Sequence, residues 1–137
     1  MITAPSPSQR RHLLIVDDCN IQQRILTDML DTRRYRLSSA RSGAQGYQMA
    51  EAMLPDLILL DVRLPDIDGY AACRLLKANP ATAQIPVIFL SGAAQPRDRV
   101  QGLSVGGVDY VTKPFVPDEL SARIQIHLNL SRQHGAA

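Results

Sequence analysis

The 137 residues suffice for one well-buried core and are too few for two ordinary domains. Fifteen basic and thirteen acidic residues leave a net charge of +2, a balance too even to make nucleic acid or an anionic membrane the main partner. No apolar run reaches the length of a membrane span, the N-terminus lacks the apolar core of a signal peptide, and Cys19 and Cys73 form no CxxC or zinc-spaced cluster, so the expected location is the reducing cytoplasm.

Residues 1–10, MITAPSPSQR, have no periodicity and carry proline and serine, which predicts a flexible tail before a fold that begins at Arg11. LLIV, ahead of Asp17, reads as the first strand. Ile21, Ile25, Leu26, Met29 and Leu30 recur at helical spacing and predict a helix over 20–32. Residues 35–40 read as a second strand. Ser42 is placed to cap a second helix that turns Ala44, Tyr47, Ala50 and Met53 or Leu54 inward and ends before Pro55. A third strand over 56–60 leads into the loop Leu64-Pro65-Asp66-Ile67-Asp68-Gly69, and a helix over 69–78 follows and stops before Pro80. Within that helix Cys73 shares the apolar side with Leu76, whereas Lys77 reads as a solvated surface charge.

The fourth strand is expected over 87–90. Pro96 then opens a helix to about residue 105, which Gly102 and the terminal Gly106-Gly107 make the least stable of the set. A fifth strand spans 108–112, and Pro117, Asp118 and Glu119 open the last helix. In that helix Leu120, Ala122, Ile124, Ile126, Leu128 and Leu130 alternate with polar residues, the period of a strand. The helical start signal and the need to cover a parallel sheet overrule the alternation. Wound as a helix, Leu120, Ile124 and Leu128 form a stripe for the sheet, and Ala122, Ile126 and Leu130 form a second stripe that asks for a partner. The fold class is therefore α/β, with five βα units and a parallel sheet covered on both faces.

Five polar residues stand at the carboxyl ends of apolar runs. Asp17 and Asp18 follow LLIV, Asp61 follows DLILL, Ser91 follows PVIFL and Lys113 follows VDYVT. Open parallel sheets present ligands just beyond these ends. Three carboxylates on one rim repel one another, and a hard divalent cation resolves the conflict because Mg2+ takes oxygen ligands and keeps several waters. The set suits Mg2+, with Mn2+ able to substitute, together with a phosphoryl group. Lys113 offers a positive charge to phosphoryl oxygens, Ser91 offers a hydroxyl donor, and an unprotonated aspartate beside the metal can attack phosphorus. His12, His127 and His134 do not cluster with acids at ligand spacing and read as surface or helix-side residues.

IVDD ending at Asp18, LLDVRLPDIDG ending at Gly69, FLSG ending at Gly92 and VTKPF ending at Phe115, in this order, with Asp61 thirty residues before Ser91 and Ser91 twenty-two before Lys113, resemble the receiver domain of bacterial two-component response regulators. The likeness covers residues 11–133, with 134–137 left as a tail or the start of a linker to an output domain. It implies a flavodoxin-like five-stranded parallel sheet of order 2-1-3-4-5 with five helices on its two faces. It further implies that Asp61 is the phosphoacceptor, taking a phosphoryl group from a sensor histidine kinase or phosphotransfer protein. Asp18, Asp61 and the Arg63 main-chain carbonyl would hold Mg2+ directly, and Asp17 would act mostly through water. Ser91 and Tyr110 would form the switch, Ser91 moving toward the phosphoryl group as the Tyr110 ring turns inward. The fourth helix, fifth strand and fifth helix would be the output face, with a homodimer through the last helix and no direct contact with nucleic acid or membrane. Arg63 and Ala93 depart from the common pattern at positions that bear on the lifetime of the phosphorylated form.

Three other readings are weaker. A haloacid-dehalogenase-like phosphatase, which also uses an aspartate nucleophile, needs an acid where Arg63 stands. A nucleotide or flavin binder needs a glycine-rich turn where Asp17-Asp18-Cys19-Asn20 stands. A receiver-like interaction module with little phosphorylation would lack one of the five groups. The expectation is a phosphoacceptor switch, not an enzyme that turns over substrates.

Overall fold

The computed structural model describes residues 10–92 and 96–135. Strands and helices alternate as β1 (Arg11–Val16), α1 (Asn20–Met29), β2 (Tyr35–Ala40), α2 (Gly43–Met53), β3 (Leu57–Asp61), α3 (Gly69–Ala78), β4 (Val87–Ser91), α4 (Pro96–Ser104), β5 (Asp109–Thr112) and α5 (Pro117–Gly135). Every strand pairing is parallel and the order is β2-β1-β3-β4-β5, as expected. Apart from Arg10, whose guanidinium donates to the Thr32 carbonyl at 2.9 Å, the expected N-terminal tail lies outside the described residues.

The central strands are apolar on both sides because helices cover both faces. Leu13 and Ile15 of β1 join Leu57, Leu59, Ile88, Leu90 and Val111 in a core closed by Leu26 of α1 and by Leu120, Ile124 and Leu128 of α5. Their neighbours Leu14, Val16, Ile58, Leu60, Val87 and Phe89 point the other way, against Ala50 of α2 and Tyr70, Cys73 and Leu76 of α3. This two-residue alternation is the strand period, and it fixes the register of the whole sheet.

Two helices turn differently from their apolar pattern. On α1, Ile21 is 71% exposed and Ile25 is 37% exposed, while Gln23 is buried. The Gln23 amide donates to the carbonyls of Ile15, Asp17 and Ala40 at 3.2, 2.9 and 3.1 Å, joining the ends of β1 and β2. These bonds hold Gln23 inward where the apolar pattern places an isoleucine. The helix also ends at Met29, three residues earlier than its pattern predicts, where Leu30 is extended. On α2, Gly43, Gly46 and Ala50 face inward, whereas Ala44, Met53 and Leu54 are exposed. A Cβ at Gly46 would collide with Val16, so the inward face is chosen by close approach. Ser42 caps α2 as expected, accepting from the Gln45 N–H. Lys77 is not solvated: its ammonium donates to the carbonyls of Ala83 and Ile85 at 3.1 and 2.6 Å, and burial lowers its pKa.

The last helix separates its two stripes cleanly. Leu120 and Ile124 are fully buried, while Ile126 is 53% and Leu130 48% exposed. A strand would have put all of them on one side. Ile124→Ala should cost about 2–5 kcal/mol, whereas Ile126→Ala should fall within about 0.5 kcal/mol of the parent. Urea unfolding of the two variants checks this, and equal losses would contradict the helical assignment.

Candidate functional site

The five polar strand-end residues come together at one rim. The Asp17 N–H donates to the Ala40 carbonyl at 3.0 Å, prolonging the β1–β2 ladder by one residue, so the Asp17 side chain is fully buried. Its Oδ1 accepts from the Cys19 N–H at 2.9 Å, which sets the turn into α1. Its Oδ2 is buried with no hydrogen-bond partner. Asp18 is exposed beside it. Asp61 ends β3 and Ser91 ends β4, and the Lys113 N–H donates to the Ser91 carbonyl at 2.8 Å, which carries Lys113 to the rim. The Lys113–Pro114 peptide is cis.

Charge dominates the geometry. Carboxylate oxygens of Asp17, Asp18 and Asp61 all lie within 4.8 Å of one another. The Lys113 ammonium stands 3.5 Å from Asp61 and 3.8 Å from Asp17. One ammonium against three carboxylates leaves the rim negative, and the Asp61 carboxyl is pushed above its ordinary value by burial first and by Asp17 second, against a smaller opposing pull from Lys113. An all-oxygen donor set whose buried Asp17 Oδ2 accepts no hydrogen bond and meets only the Lys113 ammonium, at 3.8 Å, fits a hard divalent cation better than it fits protons shared among the acids. A cavity of about 410 Å3 opens over the rim, lined by Asp61, Arg63, Ser91, Gly92 and Lys113. A larger one, about 680 Å3, lies at the opposite strand ends among Lys77, Val108, His127 and Leu130 and holds no cluster of acids.

Arg63 is exposed, with its N–H 3.4 Å from Asp61 Oδ1. Ala93 lies outside the described residues. Tyr110 is only 3% exposed and lies inward, its ring 6.1 Å from that of Phe89 and its hydroxyl 3.3 Å from the hydroxyl of Tyr70. The Arg99 guanidinium lies 5.8 Å from the Tyr110 ring centroid and donates to the Tyr110 carbonyl at 3.4 Å.

Sequence reasoning missed the residues that hold this rim in place. Gln23 fixes the Asp17 backbone, and no apolar pattern marks a buried amide. Gly69 begins α3 against the end of β3, where a Cβ would collide with the Asp61 carbonyl oxygen, and its N–H closes the loop onto the Val62 carbonyl at 2.7 Å. The proximity of Tyr70 to Tyr110, forty residues apart in sequence, likewise leaves no sequence signal.

A family model described as the response regulator receiver domain matches residues 13–125. The response regulator PleD of Caulobacter vibrioides is 41% identical over 113 residues, covering 82% of this chain and 25% of PleD. A putative response regulator from Chloroflexus aurantiacus superposes with a TM-score of 0.84 at 34% identity, covering 88% of this chain and 98% of that one. The receiver domain of a sensor histidine kinase from Pseudomonas aeruginosa, solved with a magnesium ion coordinated in its active-site cleft, gives a TM-score of 0.81 at 34% identity, over 88% of this chain and 98% of that one. The chain spans 25% of the length of PleD and 47% of that of a DNA-binding transcriptional regulator from Synechocystis.

A buried carboxyl whose folded pKa is raised contributes stability that is full below the ordinary carboxylate range and is lost as pH rises through the raised value. Without metal, Asp61→Asn should therefore melt several degrees above the parent at neutral pH, and the gap should narrow on acidification. Thermal melts in chelator across pH 4 to 8 check the sign.

Proposed function

Since the chain belongs to the family of response regulator receiver domains, we propose that it is a phosphorylation-dependent signalling switch whose phosphoacceptor is Asp61. The observation that carries this reading is the meeting of Asp17, Asp18, Asp61, Ser91 and Lys113 at one rim beneath an open cavity. A carboxylate oxygen of Asp61 attacks the phosphorus of a phosphohistidine on a sensor kinase or phosphotransfer protein. The new P–O bond forms as the P–N bond breaks, and the imidazole leaves with the electron pair and takes a proton.

Asp18, Asp61 and the Arg63 carbonyl would hold Mg2+ or Mn2+, with Asp17 behind them. When bound, the ion supplies positive charge for the carboxylates and for the phosphoryl oxygens. Lys113, already 3.5 Å from Asp61, offers its ammonium to a phosphoryl oxygen, and the Ser91 hydroxyl offers a second donor. No further substrate is turned over, so the chain acts as a switch with at most self-catalysed gain and loss of its phosphoryl group. Arg63 lines the cavity and bears on how water reaches the acyl phosphate.

The receiver domain extends from residue 11 to about residue 133, within α5, which the described residues continue to Gly135, and it works in the cytoplasm. Among the described residues no helix is long and apolar enough to cross a membrane. The test of the chemistry is labelling of the full chain with acetyl phosphate. Labelling should require Mg2+ and vanish in Asp61→Asn, and label retained in that variant would sink the assignment.

The output is a changed face of α4, β5 and α5. Val100, Leu103, Ile126 and Leu130 there are between 48% and 65% exposed, apolar side chains that a partner would remove from water. A second copy of the chain covers it, giving a symmetric dimer through α5 that phosphorylation strengthens. In sedimentation the beryllofluoride-treated chain should dimerise and Ile126→Glu should remain monomeric. A monomeric parent at every concentration would contradict the dimer.

A further inference from the structure

We infer that Asp66 is a positioning residue of the phosphoryl site: by seating both carboxylate oxygens on the first N–H groups of α2, it fixes the loop that carries Arg63, whose N–H lies 3.4 Å from Asp61 and whose carbonyl is the proposed metal ligand. The Gly43 N–H donates to Oδ1 and the Ala44 N–H to Oδ2, each at 2.8 Å. Both belong to the first turn of α2, where donors have no partner within the helix and the dipole favours an anion. Ala44, Gly43 and the nearby Ile67 N–H hold this exposed carboxyl down to about 2. It therefore stays ionised throughout the working range.

The loop over 62–68 has three anchors. Its start is tied to the site itself by the Arg63 N–H on Asp61 Oδ1 at 3.4 Å. Its end is tied to α3, because the Gly69 N–H reaches the Val62 carbonyl at 2.7 Å and Asp68 caps that helix by accepting from Ala71 at 2.8 Å. Asp66 is the third anchor, and it joins the loop to a different helix. Ile67 reinforces it, since a Cβ on Gly43 would collide with the Ile67 side chain. The two anchors at Asp61 and α3 leave the middle of the loop free to swing about its ends, and the tie to α2 removes that freedom. Because α2 packs on β1 through Gly46 and Val16, the same tie references Arg63 to the strand that ends at Asp17 and Asp18. A metal-binding carbonyl held relative to both acid-bearing strands is preorganised, which is what supporting residues around a metal supply.

The inference rests on the phosphoryl-site reading and is tested without phosphorylation. Calorimetric titration of the metal-free full chain with Mg2+ should show the Kd of Asp66→Ala weakened on the order of tenfold. Asp66→Asn, which keeps one acceptor oxygen, should fall between the two. Ser42→Ala removes the cap of the same helix from its own side, so it should lower the melting temperature while leaving the Mg2+ Kd in place. Should Asp66→Ala fail to fold, the smaller loss in Asp66→Asn decides the matter. Hydrogen exchange in metal-free buffer should show faster exchange of the loop amides over 62–68 in the Asp66 variants and not in Ser42→Ala. An unchanged Kd in Asp66→Ala and Asp66→Asn, or an equal weakening in Ser42→Ala, would overturn the positioning role while sparing the site. A parent chain that binds no Mg2+ would overturn both.

Discussion

Three aspartates with a single ammonium among them form an arrangement that opposes its own folding, and the surrounding structure is organised to hold it. Like charges within 4.8 Å favour separation or protonation, and burial of Asp17 and Asp61 adds a desolvation cost to each. The opposing forces come from the two apolar cores on either side of the sheet, whose strands cannot slip without turning their side chains to the wrong face. They come also from backbone contacts at the rim itself, among them Cys19 N–H on Asp17, Gln23 on the ends of β1 and β2, and Lys113 N–H on Ser91. The negative potential left over is one that a hard cation would offset.

The same register that brings the site together ties it to a distant face. Ser91 is paired with Thr112, and Phe89 with Tyr110, so the end of β4 is held in register with the end of β5. Phe89 packs between the rings of Tyr70 and Tyr110. Gly102 of α4 and Gly107 after it approach Phe89 so closely that a Cβ at either would collide with the ring. A displacement at Ser91 therefore has few ways to be absorbed locally, because interiors at this density transmit strain. Beside this Phe89 contact α4 ends at Ser104, ahead of Gly106 at φ +103°, and its flank exposes Val100 and Leu103. Tyr110 lies inward here, with Tyr70 and Arg99 both engaged on it.

The ten elements were legible in the sequence because most strands are short apolar runs and α2, α4 and α5 open on a cap or a proline, whereas the strand order came from the likeness to the receiver family. The strand-end acids, Ser91 and Lys113 were legible for the same reason: a polar residue directly after an apolar run stands out. The alternating pattern of α5 shows where pattern alone would mislead. Ile124 is buried and Ile126 is not, although a period of two treats them alike, and the start signal at Pro117 decides the matter.

What was not legible is the set of residues whose burial follows from the backbone and not from hydrophobicity. Hydrophobic periodicity ranks Ile21 and Ile25 above Gln23, yet the ends of β1 and β2 present carbonyls that only a donor can satisfy, and an unsatisfied buried carbonyl costs about 1–3 kcal/mol. One isoleucine left in water forfeits a comparable amount, about 1.5–3 kcal/mol, so the contacts of the Gln23 amide with Ile15, Asp17 and Ala40 compete with it on equal terms. The same reasoning covers Gly43 and Gly46, buried because the chain must approach closely, and Asp66, exposed yet pinned to a helix start. Each of these satisfies a need created by another element in space. Such needs arise where strands stop and helices begin, and in this fold that is also where the site is built.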